Sequence, residues 1–273
     1  MPELLSNTYD AGRVDLFNDH VNRVNILGVG ISAISMADAV HHSDLFLQHG
    51  TCGYICVTGV HGIMEAQADD RFREILNTSL LTTPDGMPTV WLGRLQGFRE
   101  MTRVYGPDFM LALCKISVER GYRHFLYGGK PGVAEELKRI LSIRFPGLQI
   151  TGTYTPPFRQ LNSEEEASLK RQLQDARADI LWCGLSTPKQ ERFMAQYRGK
   201  LPVKLMIGVG AAFDINSGTL KDAPGWMKAI GLQWLYRLLK EPRRLAGRYL
   251  KNNPAFLWLT CLQLSGIRKY PLS

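Results

Sequence analysis

Short apolar runs recur along this chain, and nearly every one is followed by a stretch of helical periodicity. The runs over 24–27, 54–57, 80–83, 124–127, 148–154, 179–183 and 203–209 predict strands. Between them, 62–76, 106–121, 133–145, 163–176 and 188–197 predict helices, and another starts near Ser35 with Asp38 on its polar side. The punctuation agrees: Gly121 stops one helix, Pro131 and Pro188 open two others, and Asn162 or Ser163 caps a fourth. Apolar strands alternating with helices belong to a mostly parallel sheet covered by those helices, the α/β class. In such sheets ligands bind beyond the carboxyl ends of the strands. The glycine-rich or polar loops at 28–30, 58–62, 84–88, 128–132, 184–190 and 208–218 follow predicted strands and can converge on one crevice.

From Pro224 onward the character changes to a helical, basic and aromatic segment, predicted to break at Pro242 and Pro254. Residues 221–273 hold ten Lys or Arg against Asp222 and Glu241, which accounts for the whole net charge of +8. A formally neutral body therefore carries a basic C-terminal module suited to phosphate groups. With 273 residues, 45% apolar and 21% charged, the chain can fold as one large domain with an appendage and is not a disordered tail. The opening MPELLSNTYD is a polar lead-in without the apolar core of a signal peptide, and no run of 18 apolar residues predicts a membrane span. Cys52, Cys56, Cys114, Cys183 and Cys261 lack CxxC spacing and read as buried thiols in a reducing compartment.

Two segments imitate a dinucleotide fingerprint, Gly28-Val-Gly30 and Gly208-Val-Gly210, but neither completes GxGxxG. An NAD-dependent or other nucleotide-binding enzyme is the alternative they keep open. Gly128, Gly129 and Lys130, followed by Pro131 and Gly132, suit a phosphate better: flexible backbone N–H groups near a helix start, with a lysine alongside. An ordinary βα turn explains the same residues. No GxxxxGK[ST], HExxH, GxSxG or DxD occurs and the six histidines do not cluster, so no metal-ligand set is predicted, while a metal requirement stays open. In TTPDGMPT, Asp85 sits between proline and glycine, either as a turn-former or as a proton acceptor.

Taken together and in order, TPDGMPTVWLGR, RVYGPDFM, FLYGGKPGVAEE, GLSTPKQERF, GVGAAFDINSG and APGWMKAIGLQWLYRLLKEPRRLAGRYL resemble the WecG/TagA/CpsF family of bacterial glycosyltransferases over roughly residues 24–250. The resemblance implies a Rossmann-like catalytic domain, here 1–222, and a C-terminal appendage, 223–273, facing membrane and substrate. It implies transfer of a hexose or N-acetylhexosamine, with inversion, from a UDP-sugar to a polyprenyl-diphosphate-linked saccharide. The setting would be exopolysaccharide, capsule or teichoic acid synthesis at the cytoplasmic face of the bacterial inner membrane. No cofactor is implied beyond the UDP-sugar donor, and a homo-oligomer is compatible with the sequence.

By the same resemblance Asp85 is the general base, expected to be ionised with an unshifted pKa near 3.9. Thr58 keeps the hydroxyl of the family's Thr-Pro-Asn loop, but Val60 replaces its asparagine and His61 follows, which leaves the donor sugar open. Gly128, Gly129, Lys130, Lys189, Gln190, Asp214 and Arg237 are candidates for the donor or its diphosphate, and Arg243, Arg244 and Arg248 for the membrane or the acceptor diphosphate. Glu191 either pairs with an arginine or is structural. Arg237, Lys240, Arg244, Arg248 and Lys251 step by three or four, and with Trp226, Trp234 and Trp258 nearby they form the pattern of an anchor for anionic lipid. A helical pair packed on the body, or a non-catalytic lipid-binding protein, would show the same pattern. A nucleic-acid partner is not expected, because no recognition module accompanies the charge.

Overall fold

The computed structural model describes residues 21–272, so most of the polar lead-in lies outside the described residues. The chain begins with a two-stranded hairpin, β1 (Arg23–Ile26) and β2 (Val29–Ser32), then α1 (Met36–Gln48). Next come β3 (Gly53–Thr58), α2 (Val60–Ala68), α3 (Asp70–Asn77), β4 (Leu81–Pro84), α4 (Met87–Leu95) and α5 (Gly106–Arg120). The alternation continues with β5 (Arg123–Gly128), α6 (Val133–Arg144), β6 (Gln149–Tyr154), α7 (Ser163–Ala176), β7 (Ile180–Gly184), α8 (Lys189–Tyr197), β8 (Leu205–Gly208) and the short α9 (Ala212–Asn216). Three helices close the chain: α10 (Gly225–Ala229), α11 (Gln233–Lys240) and α12 (Pro242–Leu264).

Six strands form one wholly parallel sheet in the order β4-β3-β8-β7-β5-β6. Each inner strand is buried on both faces, which is why its sequence reads as a continuous apolar run. Side chains alternate across it: Ile55, Val57, Trp182 and Ile207 join α1, α5, α6 and α9 on one face. Tyr54, Cys56, Leu181 and Met206 join α2, α3, α7 and α8 on the other. The result is the expected α/β layering. Its strand order is not the 3-2-1-4-5-6 order of the classic dinucleotide-binding fold.

Local chemistry accounts for most element ends. Ser35 and Asp38 form a capping box on α1, Asn162 and Glu165 another on α7, and Gly121 ends α5 in the left-handed region. Four departures from the sequence reading have equally local causes. The strand at 24–27 pairs antiparallel with β2, because Leu27 and Gly28 take positive φ values of 53° and 81° and turn the chain straight back. The helix predicted over 62–76 is two helices, since the Asp69 side chain accepts from Phe72 N and caps a fresh start. Helix α4 was masked by its proline and glycine. Pro254 does not break α12, whose buried Leu245, Phe256 and Thr260 hold the turns on both sides of it.

The last helices dock on the body. Phe256 belongs to the core shared with α2, α3 and α8. Gln263 bonds Leu27 N at 2.9 Å and Asn25 O at 3.0 Å, so α12 is tied to the hairpin. Among the described residues no helix is long and apolar enough to cross a membrane.

Candidate active site

Beyond the carboxyl ends of the parallel strands lies a cleft of about 1040 Å³. Its floor is made by the residues directly after β3, β4, β5, β7 and β8: Gly59, Asp85, Gly129, Leu185 and Val209. Five of the six loops singled out in the sequence thus converge. The loop at 28–30 does not, because it is the hairpin turn, and the first dinucleotide-like segment is therefore remote from the cleft. Helices α2, α4, α5, α8 and α9 all begin at this edge, so the positive ends of their dipoles face the cleft.

Asp85 leaves the end of β4 and precedes the N-cap of α4, Gly86. Its backbone N–H donates to Thr58 O at 3.0 Å, which fixes the residue across the β3–β4 pair. The side chain is 34% exposed and lines the cleft, while Oδ1 is enclosed and has no hydrogen-bond partner. Arg103 stands over it: NH2 lies 3.7 Å from Asp85 Oδ1, and Nε donates to the Asp85 carbonyl. Burial pushes the Asp85 carboxyl above the ordinary carboxylate range; Arg103, the Gly106 N–H and Arg237 pull it back in part, and Asp108 opposes them. The unshifted pKa expected from sequence is therefore corrected upward, with desolvation as the cause. A carboxylate raised toward the working pH is the better proton acceptor.

The Arg103 guanidinium is itself held from three sides. It lies 4.2 Å from the centre of the Tyr105 ring, and its NH2 donates to Gln233 Oε1. Gln233 Nε2 in turn donates to Tyr105 Oη at 2.6 Å and Asp222 Oδ1 at 3.0 Å, and Lys228 Nζ lies 2.8 Å from Asp222 Oδ2. None of Arg103, Tyr105, Asp222 and Gln233 had been singled out as a site residue. The available signals were that Arg103 and Tyr105 stand in the segment RVYGPDFM and Gln233 in APGWMKAIGLQWLYRLLKEPRRLAGRYL.

The opposite wall comes from β7 and α8. Gln190 is buried at the cleft edge and donates Nε2 to Glu191 Oε1 at 3.1 Å, leaving its Oε1 without a partner. Glu191 accepts from Thr187 Oγ1 at 2.7 Å and is pushed up by burial; these bonds, rather than an arginine, occupy it. Lys130 and Lys189 are exposed at the rim, and Asp214 lines the cleft from α9.

Three predicted residues are not in the lining: Thr58, Gly128 and Arg243. Thr58 is buried behind Asp85 with an unpartnered Oγ1. Gly128 is buried because its backbone abuts that of Gly184, and only Gly129 and Lys130 of the glycine run reach the cleft.

The appendage closes the cleft with Arg237, Arg244 and Arg248, whereas Arg243 points away from it, exposed on α12. Glu241 serves two of the three, 3.8 Å from Arg237 and closer to Arg244. Burial first, then Arg244, lowers the Arg248 pKa, as expected where positive charge is crowded. His61 also lines this side, with Nε2 enclosed and unpartnered. Of the enclosed side-chain polar atoms without partners among the described residues, those of His61, Asp85, Gln190 and Arg237 line the cleft and those of Thr58 and Glu191 lie next to lining residues, while those of Thr83, His124, Thr155 and Tyr270 lie outside it. Buried polar groups are normally satisfied, so this clustering is what a polar ligand's site requires. Among the described residues, no three His, Cys, Asp or Glu side chains gather as a cation site.

A cleft at the strand ends, with an arginine-flanked carboxylate on one wall and three arginines, two of them sharing one glutamate, on the other, suits a group-transfer enzyme. The chain belongs to the WecG/TagA/CpsF glycosyltransferase family, whose model matches residues 24–270, and it is a glycosyltransferase. It is similar to the N-acetylglucosaminyldiphosphoundecaprenol N-acetyl-beta-D-mannosaminyltransferase of Bacillus subtilis (strain 168), at 32% identity over 64% of this chain and 67% of the relative. The enzyme of the same name from Bacillus spizizenii (strain ATCC 23059 / NRRL B-14472 / W23) is 28% identical over 75% of this chain and 77% of its own length.

Proposed function

We propose that this enzyme transfers a hexose or N-acetylhexosamine, with inversion, from a UDP-sugar to a polyprenyl-diphosphate-linked saccharide in bacterial surface-polysaccharide synthesis. The observation that carries the reading is Asp85: an enclosed, arginine-flanked carboxylate facing a basic wall. In the transfer, the acceptor hydroxyl attacks the anomeric carbon and gives its proton to Asp85. The carbon–oxygen bond to the diphosphate breaks on the opposite face, and UDP leaves with the electron pair. Arg237, Arg244, Arg248, Lys130 and Lys189 offset the negative charge of the two diphosphates, and the Gln190 carbonyl accepts from a donor hydroxyl or amide. Asp214 holds the nucleoside end. Thr58, behind Asp85, acts by fixing it.

The relatives' names specify N-acetylmannosamine as the sugar moved; Val60 in place of the family asparagine is the reason for the broader donor class here. Peripheral association with the cytoplasmic face of the membrane is part of the same reading. Leu250, Pro254, Leu257, Cys261 and Leu264 repeat at helical spacing along α12 and all are exposed, a stripe of the wrong polarity for water. Leu257 also lines the cleft, so the lipid-facing stripe and the reaction site share an edge.

The test is a panel of UDP-hexoses and UDP-N-acetylhexosamines with lipid-diphosphate-linked acceptor saccharides. Acceptor-dependent release of UDP, with an inverted anomeric linkage by NMR, is the expected result. A retained configuration, or UDP release indifferent to the acceptor, contradicts it.

A further inference from the structure

We infer that Gln233 is a positioning residue for the base: it holds Arg103 against Asp85, and so arms the reaction only while the C-terminal helices are seated. The inference rests on reading Asp85 as the base and deepens it by naming what controls it. The geometry leaves Gln233 one orientation. Its Nε2 is committed to two acceptors on the body side, Tyr105 Oη and Asp222 Oδ1, so its Oε1 must face the Arg103 guanidinium. Gln233 is buried, and it opens α11 in the appendage, 130 residues from Arg103 along the chain. An arginine held by one Nε bond to the Asp85 carbonyl can swing; a second bond from NH2 to a fixed amide prevents it.

Lys228, also in the appendage, anchors Asp222 and so fixes the amide's other end. The chain Lys228–Asp222–Gln233–Arg103–Asp85 therefore crosses between the appendage and the body three times before it reaches the reacting carboxylate. The charged and titratable groups that act on Asp85 are Arg103, Asp108 and Tyr105 from the body, with Arg237 and Tyr249 from the appendage. Gln233 changes none of these charges. It fixes the distance of the nearest one.

The experiment uses the full chain and compares Gln233→Leu, Arg103→Met and their combination. Two readouts serve: turnover with the UDP-sugar and lipid-diphosphate acceptor that the donor panel identifies, and the Asp85 carboxyl titration by ¹³C NMR, which needs no substrate. Gln233→Leu is expected to lower kcat by about 10–100-fold with little change in donor KM. The Asp85 titration should move up by about one pH unit as the arginine drifts away. In the Arg103→Met background the same substitution should change neither readout by more than about twofold, because the two residues act as one unit. The pair Gln233→Glu with Asp222→Asn restores an acceptor for Arg103 beside a neutral partner, and should recover most of the lost rate. An unmoved Asp85 titration in a folded Gln233→Leu protein overturns the inference, as do losses that multiply in the combined variant. Failure of the base assignment is separate: it appears as undiminished transfer by Asp85→Asn.

Discussion

Asn252 Nδ2 lies 3.2 Å from His61 Nδ1, joining α12 to the first turn of α2 at the mouth of the cleft. The contact makes His61 an appendage-binding residue with a partly buried ring. Burial first, and Arg248 second, lowers its pKa from the ordinary 6.5, while Glu65 at 3.6 Å works the other way. The folded state therefore binds the proton more weakly than the unfolded chain. The contribution of His61 to stability is complete above pH 6.5 and is lost as pH falls through that value toward the lowered one. Urea melts at pH 7.5 and 5.5 should show a smaller pH penalty in His61→Gln than in the wild type.

The raised Asp85 pKa has a kinetic counterpart. The base must be ionised to accept a proton, so kcat/KM should fall as pH drops through a value above the ordinary carboxylate 3.8, not at or below it. Replacing Arg103 with Met removes the largest opposing influence and should move the acid limb further up. A pH–rate profile of both proteins checks the direction.

Gly128 carries a φ of 119°, and a Cβ there would come within 2.8 Å of the Gly184 backbone. Neither strand end can yield, since both belong to the central sheet. Gly128→Ala should destabilise the fold by about 1–3 kcal/mol or more, read as a lower denaturant midpoint. The glycine predicted as a phosphate contact is thus needed for strand packing.

A sequence carries strand packing more plainly than site chemistry. Burial of β3, β5, β7 and β8 on both faces writes itself into consecutive apolar residues, so the parallel sheet and the loops beyond it were legible. Hairpin strand β2, with Gly30 inside VGIS, has no such run, and the break at Asp69 depends on one side-chain cap. At the site, Asp85 was legible through its motif. The Arg103–Gln233–Asp222 network was not, because polar residues so far apart acquire meaning only when the appendage folds back. The five-residue basic face divided for the same reason: Arg237, Arg244 and Arg248 turned to the cleft, and Lys240 and Lys251 to solvent.

Cys261 is exposed in the apolar stripe of α12, whereas Cys56, Cys114 and Cys183 are buried; the sequence reading of all five as buried thiols fails there, because this helix shows water its apolar side. A maleimide should label Cys261 rapidly and the three buried thiols only after unfolding. Vesicles containing an anionic phospholipid should protect Cys261, and neutral vesicles should protect it less. Equal labelling with and without vesicles would count against the membrane-facing reading of α12.

The central claim is that Asp85 takes the acceptor proton, and Asp85→Asn tests it most directly. Asparagine keeps the shape and removes the charge whose burial is unfavourable, so the variant should melt at the same or a higher temperature. With the UDP-sugar and lipid-linked acceptor that the wild type uses, kcat should fall by about 10²–10⁴-fold while donor KM changes little. A folded Asp85→Asn protein that transfers sugar at close to the wild-type rate would contradict the account.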